Sequence, residues 1–179
     1  MKYIFDFDNV IFHTSRSLKE RIFDIYDRHG ISRARVADYI EREIQNGFSL
    51  KKFLEHFGLR KELYEEIMKG SEDFVNHQIL NIVKKAGREN CYIVTMGDEE
   101  FQKDKIVRAG INKFFNKIIV VLGSKKEAVE KICEANMDEK IVFIDDKESH
   151  FKDLDFKKYP NLKTILYTGQ KLDLGDFSG

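Results

Sequence analysis

Residues 2–10 read KYIFDFDNV, and in this stretch a short apolar run leads directly into two carboxylates, Asp6 and Asp8. Short runs rich in β-branched and aromatic residues are typical of buried strands. Five such runs are predicted to be strands: residues 2–6, 91–95, 118–122, 141–145 and 164–167. Segments of helix length separate the last four runs, for example residues 98–109 and 125–136. This alternation predicts an α/β fold, with a Rossmann-like parallel sheet flanked by helices.

The segment between the first two strands is too long for a single crossover helix. Its apolar residues recur at helical spacing in four stripes. The stripes are Leu18, Ile22, Ile25 and Tyr26; Val36, Tyr39, Ile40 and Ile44; Leu50, Phe53, Leu54 and Phe57; and Leu59, Leu63, Tyr64, Ile67 and Met68. We predict a small all-helical domain over residues 14–72 and an α/β core domain formed by residues 1–13 and 73–179. The helix that contains Phe74, Val75, Ile82 and Val83 is expected to return the chain to the sheet.

The composition narrows the range of partners. Lysine plus arginine total 31, as do aspartate plus glutamate, so there is no long-range field to attract nucleic acid or an anionic membrane. No stretch approaches the roughly 20 apolar residues of a membrane span. Cys91 and Cys133 lie far apart in apolar surroundings, which favours buried thiols over a disulfide or a metal site. We expect a soluble cytoplasmic protein that binds neither nucleic acid nor membrane, and the oligomeric state stays open.

Polar side chains follow four of the predicted strands. Asp6 and Asp8 end the first, Thr95 ends the second, Lys125 opens the helix after the third, and the pair Asp145-Asp146 ends the fourth. The carboxyl ends of parallel strands share one crevice, so these groups are expected to lie together. An Asp-x-Asp pair alone could be two ordinary loop carboxylates, but the combination indicates a site that handles phosphate.

In this order the residues resemble the four motifs of the haloacid dehalogenase superfamily. Those motifs are Asp-x-Asp-x-Thr/Val, a strand-ending Thr or Ser, a Lys, and an acidic pair or Gly-Asp. The sequence around the second motif also resembles that of the family, with Thr95-Met96-Gly97-Asp98 followed by Phe101-Gln102, Lys105, Gly110-Ile111 and Phe114-Phe115. The resemblance covers residues 1 to about 167. The helical insertion resembles the cap of the C1 branch of the superfamily.

The resemblance implies a role for each of the first two carboxylates. Asp6 would be the nucleophile and would carry the phosphoryl group as an aspartyl-phosphate, which splits one difficult displacement into two. Asp8 would protonate the leaving oxygen and then deprotonate the attacking water. The family also uses the backbone carbonyl at the position of Asp8 as a metal ligand.

The resemblance further implies bound magnesium (Mg²⁺), for which oxygen ligands are suited. The expected ligands are Asp6, the Asp8 carbonyl and Asp146, while Asp145 either binds the metal or holds a metal-bound water. The acidic pair could instead cap the next helix. Cations are needed because an anionic nucleophile and a phosphate repel each other by about 4 kcal/mol per charge pair at about 4 Å, if the effective dielectric constant is about 20.

Phosphate binding is assigned to Thr95, Met96, Gly97 and Lys125. The Thr95 hydroxyl and the amides of Met96 and Gly97 would form a nest for the anion, and Lys125 would fix the nucleophile and the phosphate. Ser124 and Glu127 could alternatively form a capping box, which would make Lys125 and Lys126 ordinary first-turn residues. The family spacing favours Lys125 as the functional lysine over Lys126.

Two positions depart from the family pattern. His150 stands where many relatives carry another acid, and Asn9 stands where Gly is usual, although Asn tolerates the same turn dihedrals. Substrate specificity is expected from the helical insertion, where the loop of residues 46–49 and the following Lys51 or Lys52 could contact a second anionic group.

The predicted function is a Mg²⁺-dependent phosphatase acting on a small phosphorylated metabolite. A phosphotransferase or phosphomutase of the same superfamily would share every core residue. A dehalogenase would need neither Asp8 nor the acidic pair. A response-regulator receiver carries its acidic pair after the first strand, which is the wrong order, and a non-catalytic binding domain would not need the full set of motifs.

Overall fold

The structure of the protein is a computed structural model, which describes residues 1–43 and 47–172. Ile44 of the second predicted stripe, Asn46 of the predicted loop, and the end of the core domain at residues 173–179 lie outside the described residues.

Five parallel strands form one sheet, which confirms the predicted α/β class. They are β1 (Lys2–Phe5), β2 (Cys91–Met96), β3 (Lys117–Val121), β4 (Ile141–Asp145) and β5 (Leu162–Leu166), in the spatial order β3-β2-β1-β4-β5. β1 is therefore the central strand, and Tyr3 pairs with Cys91 on one side and with Val142 on the other. β5 begins two residues before its predicted start. It is an edge strand, which tolerates the exposed and charged Lys163, whereas an apolar run does not include a lysine.

Seven helices accompany the sheet in the described residues. They are α1 (Lys19–Arg28), α2 (Arg33–Glu43), α3 (Leu50–His56), α4 (Leu63–Met68), α5 (His77–Ala86), α6 (Glu99–Arg108) and α7 (Lys126–Glu134). Side chains of β1 alternate between the two faces of the sheet, as expected of a strand. Tyr3 and Phe5 join the apolar cluster that contains α5 and α6, whereas Ile4 packs with α7.

The helical insert consists of a π turn, Thr14–Leu18, and helices α1–α4. Most of its buried residues belong to the predicted stripes, among them Ile22, Val36, Phe53 and Ile67, whereas Phe23 and Ile31 are buried outside them. These side chains are continuous with the apolar cluster on the α5 and α6 face of the sheet. Its status as a separate domain over residues 14–72 stays a prediction.

The segment that returns the chain to the sheet differs from the prediction, because the helix begins later than expected. Phe74 ends a 3₁₀ turn and Val75 pairs with Phe12 in an isolated bridge, so both residues precede α5. The reason is a cap: the Asn76 side chain accepts hydrogen bonds from the amides of Gln78 and Ile79, which starts the helix at His77. None of the helices in the described residues has the length and apolar character needed to cross a membrane. Cys91 and Cys133 are buried free thiols, as predicted.

Tyr26 gives a test of packing in the helical insert. Its ring is fully buried and stacks on Phe53 at 4.5 Å, but its hydroxyl has no hydrogen-bond partner among the described residues. Because a buried unpaired hydroxyl costs about 1–3 kcal/mol, we expect Tyr26→Phe to leave stability unchanged or to raise it by about 1 kcal/mol.

The matched control is Tyr64→Phe. The Tyr64 hydroxyl donates to Asp104 at 2.6 Å, so its removal should lower stability by about 1 kcal/mol. Urea unfolding of both variants measures the difference. Equal losses in the two variants would contradict the packing described for Tyr26.

Candidate active site

The carboxyl ends of β1 and β4 and the start of α7 bring three predicted site residues together. The Lys125 ammonium lies 2.7 Å from Asp6 Oδ1 and 2.7 Å from Asp145 Oδ2. All three side chains are buried, with Lys125 only 2% exposed. The group therefore combines two carboxylates with one ammonium in a place that water barely reaches.

This contact also distinguishes the two candidate lysines. Lys126 is solvent-exposed and its ammonium is 3.9 Å from Glu130. The alternative capping box is not formed, because Ser124 accepts from the Lys126 amide while the Glu127 carboxylate pairs with Lys131. Lys125 is thus the lysine that lies in the site.

Asp6 has two unlike carboxylate oxygens. Oδ1 accepts from the Phe7 amide at 2.7 Å and contacts Lys125, whereas Oδ2 receives no hydrogen bond from the part of the chain that the structure describes. Burial raises the pKa of Asp6 to about 6, against the lowering effect of Lys125, and the charges of Asp145 and Asp8 add to the rise. Oδ2 is the oxygen left available to react.

Asp8 is held by groups from two other elements. Its Oδ1 accepts from the Thr14 hydroxyl and from the Lys105 ammonium at 2.5 Å, and its Oδ2 accepts from Gln102 Nε2 at 2.7 Å. Burial alone would raise the pKa of Asp8, but Lys105 and the hydrogen bonds lower it below its ordinary value. Asp8 is therefore stabilised as a carboxylate.

Sequence reasoning assigned no role to Gln102 or Lys105. Both residues belong to the sequence after the second motif that resembles the family. Lys105 is 2% exposed, and its ammonium lies 5.0 Å from the centre of the Phe101 ring. A signal was present, because residues three apart on a helix share a face and a lysine in an otherwise apolar position needs an anionic partner.

The second motif lies beside Asp8, at the end of β2. Thr95 is buried, and its hydroxyl has no partner among the residues described. Met96 lines the same cavity as Thr95 and its carbonyl accepts from Gln102 at 2.8 Å. An orphaned hydroxyl at this place is a group that a phosphate oxygen could satisfy.

Gly97 has a different role from the one predicted. Its amide donates to the Val121 carbonyl at 2.9 Å, so it is not free for a phosphate nest. The residue has φ of 146°, and a Cβ there would lie 2.9 Å from Gln102 Nε2. Glycine is needed because a side chain would displace the Gln102 amide that reaches Asp8.

The acidic pair separates into two environments. Asp145 is buried, and His150 Nδ1 lies 2.9 Å from both of its oxygens. Burial alone would raise the pKa of Asp145, but His150 and Lys125 lower it. Asp146 instead accepts from Asn9 Nδ2 at 3.1 Å, and its pKa is raised, mainly by burial.

One set of ligand atoms could hold a metal ion in the described residues. Single atoms of Asp6, Asp145 and His150 all lie within 4.8 Å of one another, and two of the three donors are oxygens of the kind that Mg²⁺ prefers. The residues therefore fit a divalent cation. Asp146 is not part of this set, and its role as the direct ligand stays a prediction. Asn9 has φ of 60°, the conformation that its place in the family pattern requires.

A cavity of about 180 Å³ joins these groups. The predicted site residues that line it are Asp6, Asp8, Thr95, Met96, Gly97, Lys125 and Asp146. Asp145 lies behind them, in contact with Lys125.

Comparison with known proteins identifies the architecture. No family model matches the sequence, and no curated protein matches it. A protein from Burkholderia xenovorans classed as a haloacid dehalogenase-like hydrolase is similar in structure, with a TM-score of 0.69 and 19% identity over 90% of this chain and 81% of that one. A protein from Thermotoga maritima classed as a β-phosphoglucomutase gives a TM-score of 0.57 and 12% identity over 97% and 89%.

A third similar structure is the HAD-hydrolase YfnB from Bacillus subtilis, which was determined with bound magnesium. Its TM-score is 0.56, with 17% identity over 98% of this chain and 90% of that one. The chain therefore has the fold of the haloacid dehalogenase superfamily.

Proposed function

We propose that the protein is a Mg²⁺-dependent phosphatase that hydrolyses a small phosphate monoester through an aspartyl-phosphate on Asp6. One observation carries the proposal: Lys125 and the Phe7 amide hold Oδ1 of Asp6, which leaves Oδ2 free in a cavity that also contains the unpartnered Thr95 hydroxyl. The similar proteins from Burkholderia xenovorans and Bacillus subtilis, which are classed as hydrolases, support the same reaction class.

In the first half-reaction, Oδ2 of Asp6 attacks phosphorus and the bond from phosphorus to the leaving oxygen breaks. The Lys125 ammonium offsets the repulsion between carboxylate and phosphate, and the Thr95 hydroxyl donates to a phosphate oxygen. The leaving oxygen takes a proton from Asp8, which must first acquire one.

In the second half-reaction, water attacks phosphorus, the bond from phosphorus to Asp6 breaks, and inorganic phosphate leaves. Asp8 takes the proton of the water. Contacts from Lys105, Gln102 and Thr14 favour the carboxylate form of Asp8, so the geometry supports this base step most directly.

The metal would be held by Asp6, the Asp8 carbonyl and the acidic pair, with His150 beside Asp145. When bound, a divalent cation supplies the counter-charge that an incoming phosphate needs. The YfnB structure with magnesium supports the choice of ion.

A phosphomutase is the second candidate, because the Thermotoga maritima neighbour is classed as one. It would use the same aspartyl-phosphate and pass the phosphoryl group to a sugar hydroxyl. Release of inorganic phosphate in an assay without any sugar acceptor would favour the phosphatase over the phosphomutase.

The nucleophile can be tested with a generic aryl phosphate. Hydrolysis should require Mg²⁺ and stop on chelation, and Asp6→Asn should lower kcat by at least about a thousandfold, because an amide oxygen cannot form the intermediate. Asp38→Asn is the control, since Asp38 is exposed on α2 and forms its ion pair with Arg42 on the same helix. Metal-independent turnover, or an active Asp6→Asn, contradicts the mechanism.

The two lysines after β3 provide a matched pair. Lys125→Met should reduce kcat/KM by about a hundredfold or more, because it removes the only ammonium in contact with Asp6 in the described residues. Lys126→Met should leave kcat/KM unchanged. Circular dichroism checks that both variants fold, and Lys125→Arg, which keeps the charge, should retain more activity than Lys125→Met.

The support of Asp8 can be measured as a coupling energy. Lys105→Met leaves the Asp8 carboxylate without its cation and should lower the free energy of unfolding by about 3 kcal/mol. Asp8→Asn in the same background should recover part of this loss. A double-mutant cycle by urea unfolding gives the interaction, and strictly additive effects would show that the ion pair is not formed.

A further inference from the structure

The cavity above Asp6 has two unlike walls. The proposed catalytic side chains line it at the ends of the strands. A second part of the lining, here called the apolar wall, consists of Leu18, Ile22, Ile40, Phe48 and Phe101. These residues come from the helical insert and from α6, so the sequence places hydrocarbon where the leaving group of a phosphate bound at Asp6 would lie.

The apolar wall offers no charge to a second anionic group. Lys51, which the sequence suggested for this purpose, pairs with Glu100 and does not line the cavity. Lys19 lines the cavity, but its ammonium is 5.4 Å from the centre of the Phe23 ring, and Phe23 is not among the lining residues. Lys19 therefore presents its alkyl stem to the cavity and turns its charge away.

Ser15 and Lys147 also line the cavity, but they belong to its acidic end: the Ser15 amide donates to Asn9, Asn9 donates to Asp146, and Lys147 is the next residue. Beside Asp8, few groups are free to receive hydroxyls. The Thr14 hydroxyl donates to Asp8, and Gln102 Nε2 is shared between Asp8 and the Met96 carbonyl. Among the described residues, Gln102 Oε1 is a buried acceptor without a partner. One acceptor cannot satisfy a polyhydroxylated leaving group, and each buried hydroxyl without a partner weakens binding by roughly fivefold to a hundredfold.

We propose that the substrate is the monophosphate of a compact, uncharged, apolar alcohol. The proposal rests on the proposed phosphatase function and narrows its substrate class. The apolar wall recognises an alkyl or aryl group by burying its surface, and it discriminates against phosphosugars and phosphorylated acids, whose polar groups would lose water without finding partners.

The test compares substrates of matched size. With Mg²⁺ present, kcat/KM for n-pentyl phosphate should exceed that for glycerol 3-phosphate by at least about tenfold, and that for 3-phosphoglycerate by at least about a hundredfold. Acetyl phosphate, whose leaving group is too small to reach most of the apolar wall, reports the phosphoryl chemistry separately. Equal or faster turnover of either polar substrate overturns the proposal.

Variants of the apolar wall sharpen the test. Ile40→Thr should lower the ratio of kcat/KM for n-pentyl phosphate over glycerol 3-phosphate by at least about threefold, because a hydroxyl replaces an ethyl group of the wall. Phe48→Ser serves as the second variant should Ile40→Thr fail to fold. Lys52→Met, on exposed surface outside the cavity, is the control and should leave the ratio unchanged.

A variant of Lys19 tests whether its ammonium contacts the leaving group. Lys19→Met should leave the ratio of kcat/KM for 3-phosphoglycerate over n-pentyl phosphate unchanged, whereas a fall of tenfold or more in this ratio would show that Lys19 binds an anionic leaving group and would overturn the proposal. The experiments distinguish failure of the proposed phosphatase reaction from failure of the proposed substrate class. Absence of acetyl phosphate hydrolysis refutes the phosphatase, while hydrolysis of acetyl phosphate without a preference for n-pentyl phosphate refutes only the substrate class.

Discussion

The ammonium of Lys125, placed between Asp6 and Asp145, is the interaction on which the site depends. Removing two carboxylates from water costs several kcal/mol each unless a cation compensates them. Here one ammonium serves two carboxylates, so the buried group keeps a net negative charge that would favour a divalent cation. Burial raises the pKa of Asp6, with the charge of Asp145 adding to the rise, whereas contacts with His150 and Lys125 lower the pKa of Asp145. The central position of β1 makes this arrangement possible, because it sets Asp6 directly beside the end of β4.

Sequence patterns predicted the fold well wherever the signal was local, and the structure brings several of the predicted site residues together. Alternation of short apolar runs with helix-length segments gave the parallel sheet, and the carboxyl ends of its strands gave Asp6, Thr95 and the acidic pair. The choice between Lys125 and Lys126 was harder, because a capping box and a buried ion pair predict the same residues at a helix start. Burial decided it, and burial of a lysine depends on partners distant in the chain.

Other features could not be read from the sequence because they depend on tertiary contacts. The Gly97 amide was predicted to bind phosphate because it lies beside a helix start, but it donates to Val121 of β3. No role was predicted for Gln102 or Lys105. Only the approach of α6 to β1 shows that both side chains reach Asp8.

Helix α6 links the two halves of the proposed reaction. Gln102 and Lys105 hold the acid and base, while Phe101, on the same helix, forms part of the apolar wall and contacts Phe48 of the helical insert. The insert also binds α6 through Tyr64 and Asp104 and through the two-pronged pair of Arg108 with Glu65. The position of α6 would thus fix both the proposed proton-transferring carboxylate and the proposed surface for the leaving group. In the proposed mechanism the leaving oxygen must lie within reach of Asp8, so a shift of α6 would disturb proton transfer and leaving-group binding together.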